Sequence, residues 1–172
     1  MSFLLFAIRC LPYKMPIILL SLFYFSLYSG VLGETDAYLK GDVKTGWATF
    51  YVEWRSNPGS CGVTPTNPAA VCALSSKYMK LPSGMTNPNK HPLCDKRYCV
   101  LVRGPLGAAV VKVSDTCPRC AEDNGENLDL ADDFYATIAE KDKGKNPVHW
   151  KFVDCASYKL GKFTGDLDSE FP

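Results

Sequence analysis

Cysteine placement constrains this chain more than any other feature. Eight cysteines stand at positions 10, 61, 72, 94, 99, 117, 120 and 155. The first belongs to an N-terminal stretch that reads as a removable leader. Arg9 and Lys14 are the only charges before Glu34, an apolar run extends from Met15 to Leu32, and Val31-Leu32-Gly33 supplies a small-residue exit. A positive end, a short apolar core and a small-residue exit mark a secretory signal. Tyr24, Ser26, Tyr28, Ser29 and Gly30 dilute the run, whereas a membrane span needs about 20 apolar residues. Residues 1–33 are therefore expected to be a signal peptide cleaved near Gly33–Glu34, with Met15 as an alternative start. The mature chain is expected to be secreted, extracellular and off the membrane.

Seven cysteines then remain, which in a short secreted chain read as a disulfide framework with one thiol left over. Two rival uses exist. Cys94-x4-Cys99 and Cys117-x2-Cys120 have spacings that suit a four-thiolate zinc site, and Cys117-Pro118-Arg119-Cys120 has redox-motif spacing. An oxidising compartment disfavours the first, and the lack of a βαβ frame disfavours the second. Neither a metal nor a cofactor is expected. Losing Arg9 and Lys14 takes the formal net charge from +1 to −1. Nucleic-acid binders usually carry a strong basic bias, so a neutral partner such as a polysaccharide fits better.

Beyond residue 42 the pattern is one of short strands. Trp47–Val52 is aromatic and β-branched, Val71–Leu74 is a short buried-strand candidate, and residues 55–69 and 82–93 are rich in Pro, Gly and Asn. Cys99–Arg103 and Ala108–Ser114 flank Gly104-Pro105-Leu106-Gly107, which predicts a hairpin. Asp115 is expected where the return strand ends. One helix is expected over 129–140, with Asp129 as N-cap and Leu130, Phe134 and Ile138 as its apolar stripe. The last strand, Val148–Asp154, puts Val148, Trp150 and Phe152 on one face. Residues 157–172 read as a polar tail.

Several of these segments resemble one known family. Gly46-Trp47-Ala48-Thr49-Phe50-Tyr51 resembles the opening strand of expansins, and Ser60-Cys61-Gly62 their Ala-Cys-Gly. Ala73-Leu74-Ser75 is similar to an element of single-domain fungal expansin-like proteins. Val113-Ser114-Asp115-Thr116-Cys117-Pro118-Arg119-Cys120, Leu128-Asp129-Leu130 with Phe134, and Phe152-Val153-Asp154-Cys155 follow in the family's order. The chain thus resembles the expansin-like and barwin-like (rare lipoprotein A-like) proteins over about residues 45–155. The resemblance implies a mainly β fold: a six-stranded double-psi β-barrel over residues 43–156, disulfide-stapled, with one short helix before the last strand. Asn127-Leu128 stands where expansins usually have His before the Asp, and Cys94 and Cys99 are further apart than in the family. Expansins add a cellulose-binding sandwich domain, which is not expected in residues 156–172.

The resemblance implies Cys61–Cys94 and Cys99–Cys155 disulfides. It leaves the third open between Cys72–Cys117, which barwin favours, and Cys117–Cys120; the former is preferred, with Cys120 free. It also points to site residues. Asp129 matches the general-acid position of the related family 45 glycoside hydrolases, and Asp115 is the second candidate. Glycosidic cleavage needs a further carboxylate as base or nucleophile; at that place stands Val52-Glu53-Trp54 rather than the expected Asp. Thr49 resembles the expansin groove threonine. Trp47 and Tyr51 share its face by alternation, and together with Trp54 they are candidates for a sugar-stacking platform. Capping alone for Asp129, a turn role for Asp115 and core packing for Trp47 and Tyr51 are the plain alternatives. The resulting expectation is a monomeric protein that binds cell-wall polysaccharide, β-glucan or chitin, and loosens it without hydrolysis. A barwin-like defence or effector protein, and a glycoside hydrolase or lytic transglycosylase, are the alternatives.

Overall fold

The computed structural model describes residues 36–172 apart from Asn67; the signal-peptide reading of residues 1–33 lies outside them. Seven strands form one sheet: β1 (Lys44–Tyr51), β2 (Val71–Ser75), β3 (Tyr98–Gly104), β4 (Gly107–Cys117), β5 (Leu128–Ala131), β6 (Asn146–Asp154) and β7 (Gly161–Phe163). The order β2-β5-β1-β6-β3-β4 closes through a β2–β4 pairing, so six strands make a barrel. Two pairs, β1–β5 and β2–β4, are parallel, and the others are antiparallel. Gly104 pairs with Gly107, which leaves Pro105-Leu106 as the two-residue turn of the β3–β4 hairpin.

Period-two alternation accounts for the interior. Leu74, Val100, Val111, Leu128, Leu130 and Trp150 are buried in one cluster, and along β6 Val148, Trp150 and Phe152 face inward while His149 is exposed. The helix α1 (Asp132–Ile138) packs Tyr135 and Ile138 against this interior.

Three expectations need correction. Asp129 is not a helix N-cap. It lies within β5, and α1 begins three residues later behind Ala131, which makes no side-chain cap. The segment 128–131 finds ladder partners on both sides, β1 and β2, and this tertiary pairing outweighs a helical pattern read locally. Second, residues 157–172 are not a loose tail. β7 pairs with the Ala108–Val110 end of β4, and a one-turn helix at Leu167–Glu170 is tied down by Lys151 Nζ to Glu170 at 2.7 Å and by Tyr158 Oη donating to Glu170 Oε1 at 2.9 Å.

The third correction concerns the cysteines. Cys61–Cys94 and Cys99–Cys155 are bonded, but the last bond is Cys117–Cys120, and the free buried thiol is Cys72 rather than Cys120. Register explains why Cys72–Cys117 does not form. Across the parallel β2–β4 ladder Cys72 pairs with Val113, whereas Cys117 pairs with Ser75. Three residues of strand separate the two cysteines, about 10 Å at ~3.3 Å per residue, and a disulfide needs Cα atoms within about 7 Å. All four sulfurs of the alternative zinc set lie in disulfides.

Candidate functional site

Four strands put four side chains in one lateral row. Thr49 on β1 pairs with Asp129 on β5, Asp129 pairs with Ala73 on β2, and Ala73 pairs with Asp115 on β4. Directly paired residues point to the same side of a sheet. The inner side is taken by Ala48, Leu128, Leu130, Cys72 and Leu74, so the row faces outward. The two acidic residues are one strand apart, about 10 Å between backbones at ~4.8 Å per strand step, with only the methyl group of Ala73 between them.

Asp115 reaches this row through a bulge. Ala109, Val111 and Val113 face the interior, and strict alternation sends Asp115 inward after them. The β2–β4 register shifts between Cys72 and Ala73, whose partners are Val113 and Asp115, so Ser114 is the extra residue. Such a bulge re-aims the side chains that follow it. The loop before β2 then holds Asp115 in place: Ser60 N and Thr116 N both donate to Asp115 Oδ1 at 2.7 Å. Only glycine fits at position 59, where a Cβ would fall 2.3 Å from the Ser114 carbonyl oxygen. Cys61–Cys94 staples the same loop.

Asp129 differs in character. Its Oδ1 accepts the Thr49 hydroxyl at 2.8 Å. Burial pushes its carboxyl above the usual carboxylate range; the Thr49 bond opposes this, and the negative charges of Glu53 and Asp115 add to it. The Oδ2 atoms of Asp115 and Asp129 receive no protein donor among the described residues. Burial likewise holds the Tyr51 phenol protonated; its oxygen lies 3.4 Å from Ser114 Oγ.

The row forms the floor of an open groove of about 670 Å³. Trp47, Thr49, Tyr51, Glu53, Asp115 and Asp129 all line it. Trp47 is 42% exposed, with the Lys145 ammonium 5.1 Å from its ring centre. Glu53 stands at the groove's edge, and its Oε2 accepts the Val52 N–H at 3.1 Å. Trp54 does not join the platform. It is 3% exposed, lies under the Arg55 guanidinium, and donates its indole N–H to Asp132 at 3.2 Å. Arg55 in turn pairs with Asp132 at 2.7 Å and Asp133 at 2.9 Å, which anchors the turn carrying Glu53 to α1.

Some groove residues carry no signal in the sequence. Lys145 and Arg119 line it from loops far apart in the chain. Asn127 was visible only as a departure from the expansin pattern. Its Oδ1 accepts the Trp47 N–H at 2.9 Å and its Nδ2 donates to the Glu122 carbonyl at 3.1 Å, which pins the start of the groove. The Cys117–Cys120 disulfide forms part of the wall. Among the described residues, no group of three His, Cys, Asp or Glu is arranged to hold a metal ion, and no helix is long and apolar enough to cross a membrane.

No family model and no curated protein matches the chain. Solved structures do. Streptomyces papain inhibitor matches with a TM-score of 0.53 at 29% identity, over 66% of this chain and 96% of that one. Clavibacter michiganensis expansin matches with a TM-score of 0.48 in two forms. A mutant in complex with cellohexaose is 21% identical and the apo protein 22%, each over 65% of this chain and 50% of the expansin. The chain thus spans about half the length of that expansin. The closed mixed barrel with its two parallel pairs, the outer strand, the three disulfides and the likeness to the papain inhibitor make this an expansin-like, double-psi β-barrel fold.

Proposed function

We propose that the protein is secreted and that its groove binds a β-linked cell-wall polysaccharide without cutting it, weakening glycan–glycan contacts. The observation that carries this is the outward row Thr49–Asp129–Ala73–Asp115, left open beneath an exposed Trp47. A sugar chain lying in it meets carboxyl oxygens that accept hydroxyl protons, and an aromatic face for ring stacking. Hydrolysis needs a protonated acid and a second carboxylate poised on water or on the anomeric carbon. Asp129, kept toward its protonated form, suits the first role. Asp115 and Glu53 each have one carboxyl oxygen held by backbone N–H groups, which fixes them in the groove wall and supports binding over cleavage. Three disulfides fit an oxidising, extracellular setting.

The test is incubation with soluble and insoluble β-glucans and with chitin, measuring retention of the protein, release of reducing ends and extension of wall material. Retention and wall weakening without reducing ends are expected. Steady release of reducing ends that Asp129→Asn abolishes means that Glu53 or Asp115 serves as base and the protein is a glycoside hydrolase. The likeness to Streptomyces papain inhibitor, which covers nearly all of that chain, supports a second reading: an extracellular inhibitor of papain-like peptidases. Titration of papain activity tests it, and stoichiometric inhibition with no glycan retention favours it over the first.

A further inference from the structure

We propose that the loop over residues 62–68 docks into the substrate cleft of a papain-like peptidase, with Val63 as its anchor; this rests on the peptidase-inhibitor reading above. The loop lies outside the groove, and none of its residues lines it. Both ends are fixed. At the start, Cys61 is bonded to Cys94, its N–H donates to the Ser114 carbonyl at 3.1 Å, and the Gly62 N–H donates to the Gly59 carbonyl at 2.7 Å. Gly62 has φ +73°, a left-handed conformation that favours glycine. At the end, Ala69 is buried with Trp54 and Val71, and the Ala70 carbonyl accepts the Lys112 N–H at 2.8 Å. Between these anchors the chain is bare. Val63, Thr64, Thr66 and Pro68 are exposed. Among the described residues, no backbone–backbone hydrogen bond engages Val63, Thr64, Pro65, Thr66 or Pro68.

A cleft that binds extended peptides takes affinity from main-chain hydrogen bonds and specificity from side-chain pockets. The loop offers both. Pro65 and Pro68 fix their own φ, and Pro65 turns Thr64 toward extended backbone, so little freedom remains to be lost on docking. Val63 is 61% exposed, the most exposed large apolar side chain among the described residues. No charged residue stands between Arg55 and Lys77, so burying the loop strips water from no charge, in keeping with the charge-poor centres of interfaces. Behind Val63 an open cavity of about 540 Å³ runs to Phe134 and Leu160, and Leu160 is 46% exposed. Apolar surface thus continues past the loop, as an interface of about 800 Å² per partner requires. With Val63 in an apolar subsite and Thr64 next to the catalytic cysteine, the bond presented for attack is Thr64–Pro65. That bond is a tertiary amide without an N–H. The loop therefore fills the cleft as a poor substrate, and inhibition needs no covalent step.

Titration of papain activity with the protein and three variants tests this. Val63→Asp should weaken inhibition by ~30-fold or more, the loss typical of a hot spot. Val63→Ala should weaken it by about tenfold, the worth of two buried methyl groups. Leu106→Asp changes an equally exposed apolar residue at the β3–β4 turn and should leave inhibition as it is. Urea midpoints check that each variant folds, and Val63→Ala carries the test if the aspartate variant does not. Calorimetry supplies a second readout: papain whose cleft is filled by a covalent epoxysuccinyl peptide should no longer bind. Inhibition unchanged in both Val63 variants overturns the proposal and leaves the inhibitor reading standing. So does tight binding to the blocked papain, or a loss in Leu106→Asp as large as that in Val63→Asp. A wild-type protein that does not inhibit papain sinks the inhibitor reading itself, and this proposal with it.

Discussion

The outward side chains of β3 and of the end of β6 are covered by a second layer, while the outward row across β1, β5, β2 and β4 lines an open groove, although all these strands belong to one barrel. On the covered side, Cys99, Leu101, Val110 and Val153 point away from the interior and are buried by Tyr158, Phe163 and Phe171. The C-terminal segment, clamped by Cys99–Cys155 and by the Lys151–Glu170 pair, makes a second core layer there. On the groove side, the outward positions are Thr49, Ala73, Asp115 and Asp129; Ala73 is buried beneath Tyr51 and the Cys117–Cys120 disulfide, and the three polar side chains stay partly open to the groove. Covering them would bury two carboxyl groups without cationic partners, which costs far more than it returns. Apolar outward residues call for a cover, whereas polar ones are satisfied by water and can stay open.

Removing the lid should have the largest effect. A chain ending at Ser157 exposes the Leu101–Val110–Val153 layer, and a loss of more than about 4 kcal/mol is expected by analogy with buried aromatic truncations. Urea unfolding checks it, and an unchanged midpoint would break the contrast between the two sides. The staples come next. Cys99→Ala with Cys155→Ala opens a loop of 56 residues and should cost about 4 kcal/mol, whereas Cys117→Ala with Cys120→Ala opens a separation of 3 and should cost about 2. The second pair should disturb glycan retention more than stability, because it sits in the groove wall.

Asp129→Asn should act in the opposite direction. The folded carboxyl titrates above its ordinary value of 3.8, so between 3.8 and that raised value the native state holds more protons than the unfolded one. Stability therefore falls as pH rises through this window and stays lower above it. The Asn variant should lose this fall and gain about 0.5–2 kcal/mol at neutral pH, the usual range when a functional site is relieved, while glycan retention disappears. A less stable variant, or an unchanged pH profile, contradicts the burial argument. Trp47→Ala should do least to the fold, within about 0.5 kcal/mol for a half-exposed residue. It should still weaken glycan binding by about tenfold, or 1.4 kcal/mol.

Much of this was readable along the chain, and the misses share a cause. The hairpin, β1, β2, β6 and two of the disulfides follow from alternation, turn residues and family resemblance. β5 was hidden because four residues, Leu128–Ala131, carry too little alternation to compete with the Leu130, Phe134 and Ile138 helical spacing. The covering segment was hidden because Tyr158, Phe163 and Phe171 are scattered among polar residues with no period. Trp54 stands close to Trp47 and Tyr51 in sequence, yet the turn at Glu53–Arg55 rotates it away toward Asp132.

By itself, the sequence determined which residues are strand formers and which cysteines must pair somewhere. These are local properties, set by side-chain shape, polarity and period, whereas Thr49, Asp115 and Asp129 stood out through the resemblance to the expansin-like proteins. Tertiary structure alone decided that Cys117 meets Cys120, because register keeps Cys72 about 10 Å away along the ladder. It alone decided that Asp115 faces outward, because one bulged residue at Ser114 reverses the alternation of β4. Side-chain direction in a strand has a period of two, so a single extra residue whose presence depends on the partner strand decides whether a carboxylate lies in the core or in the groove.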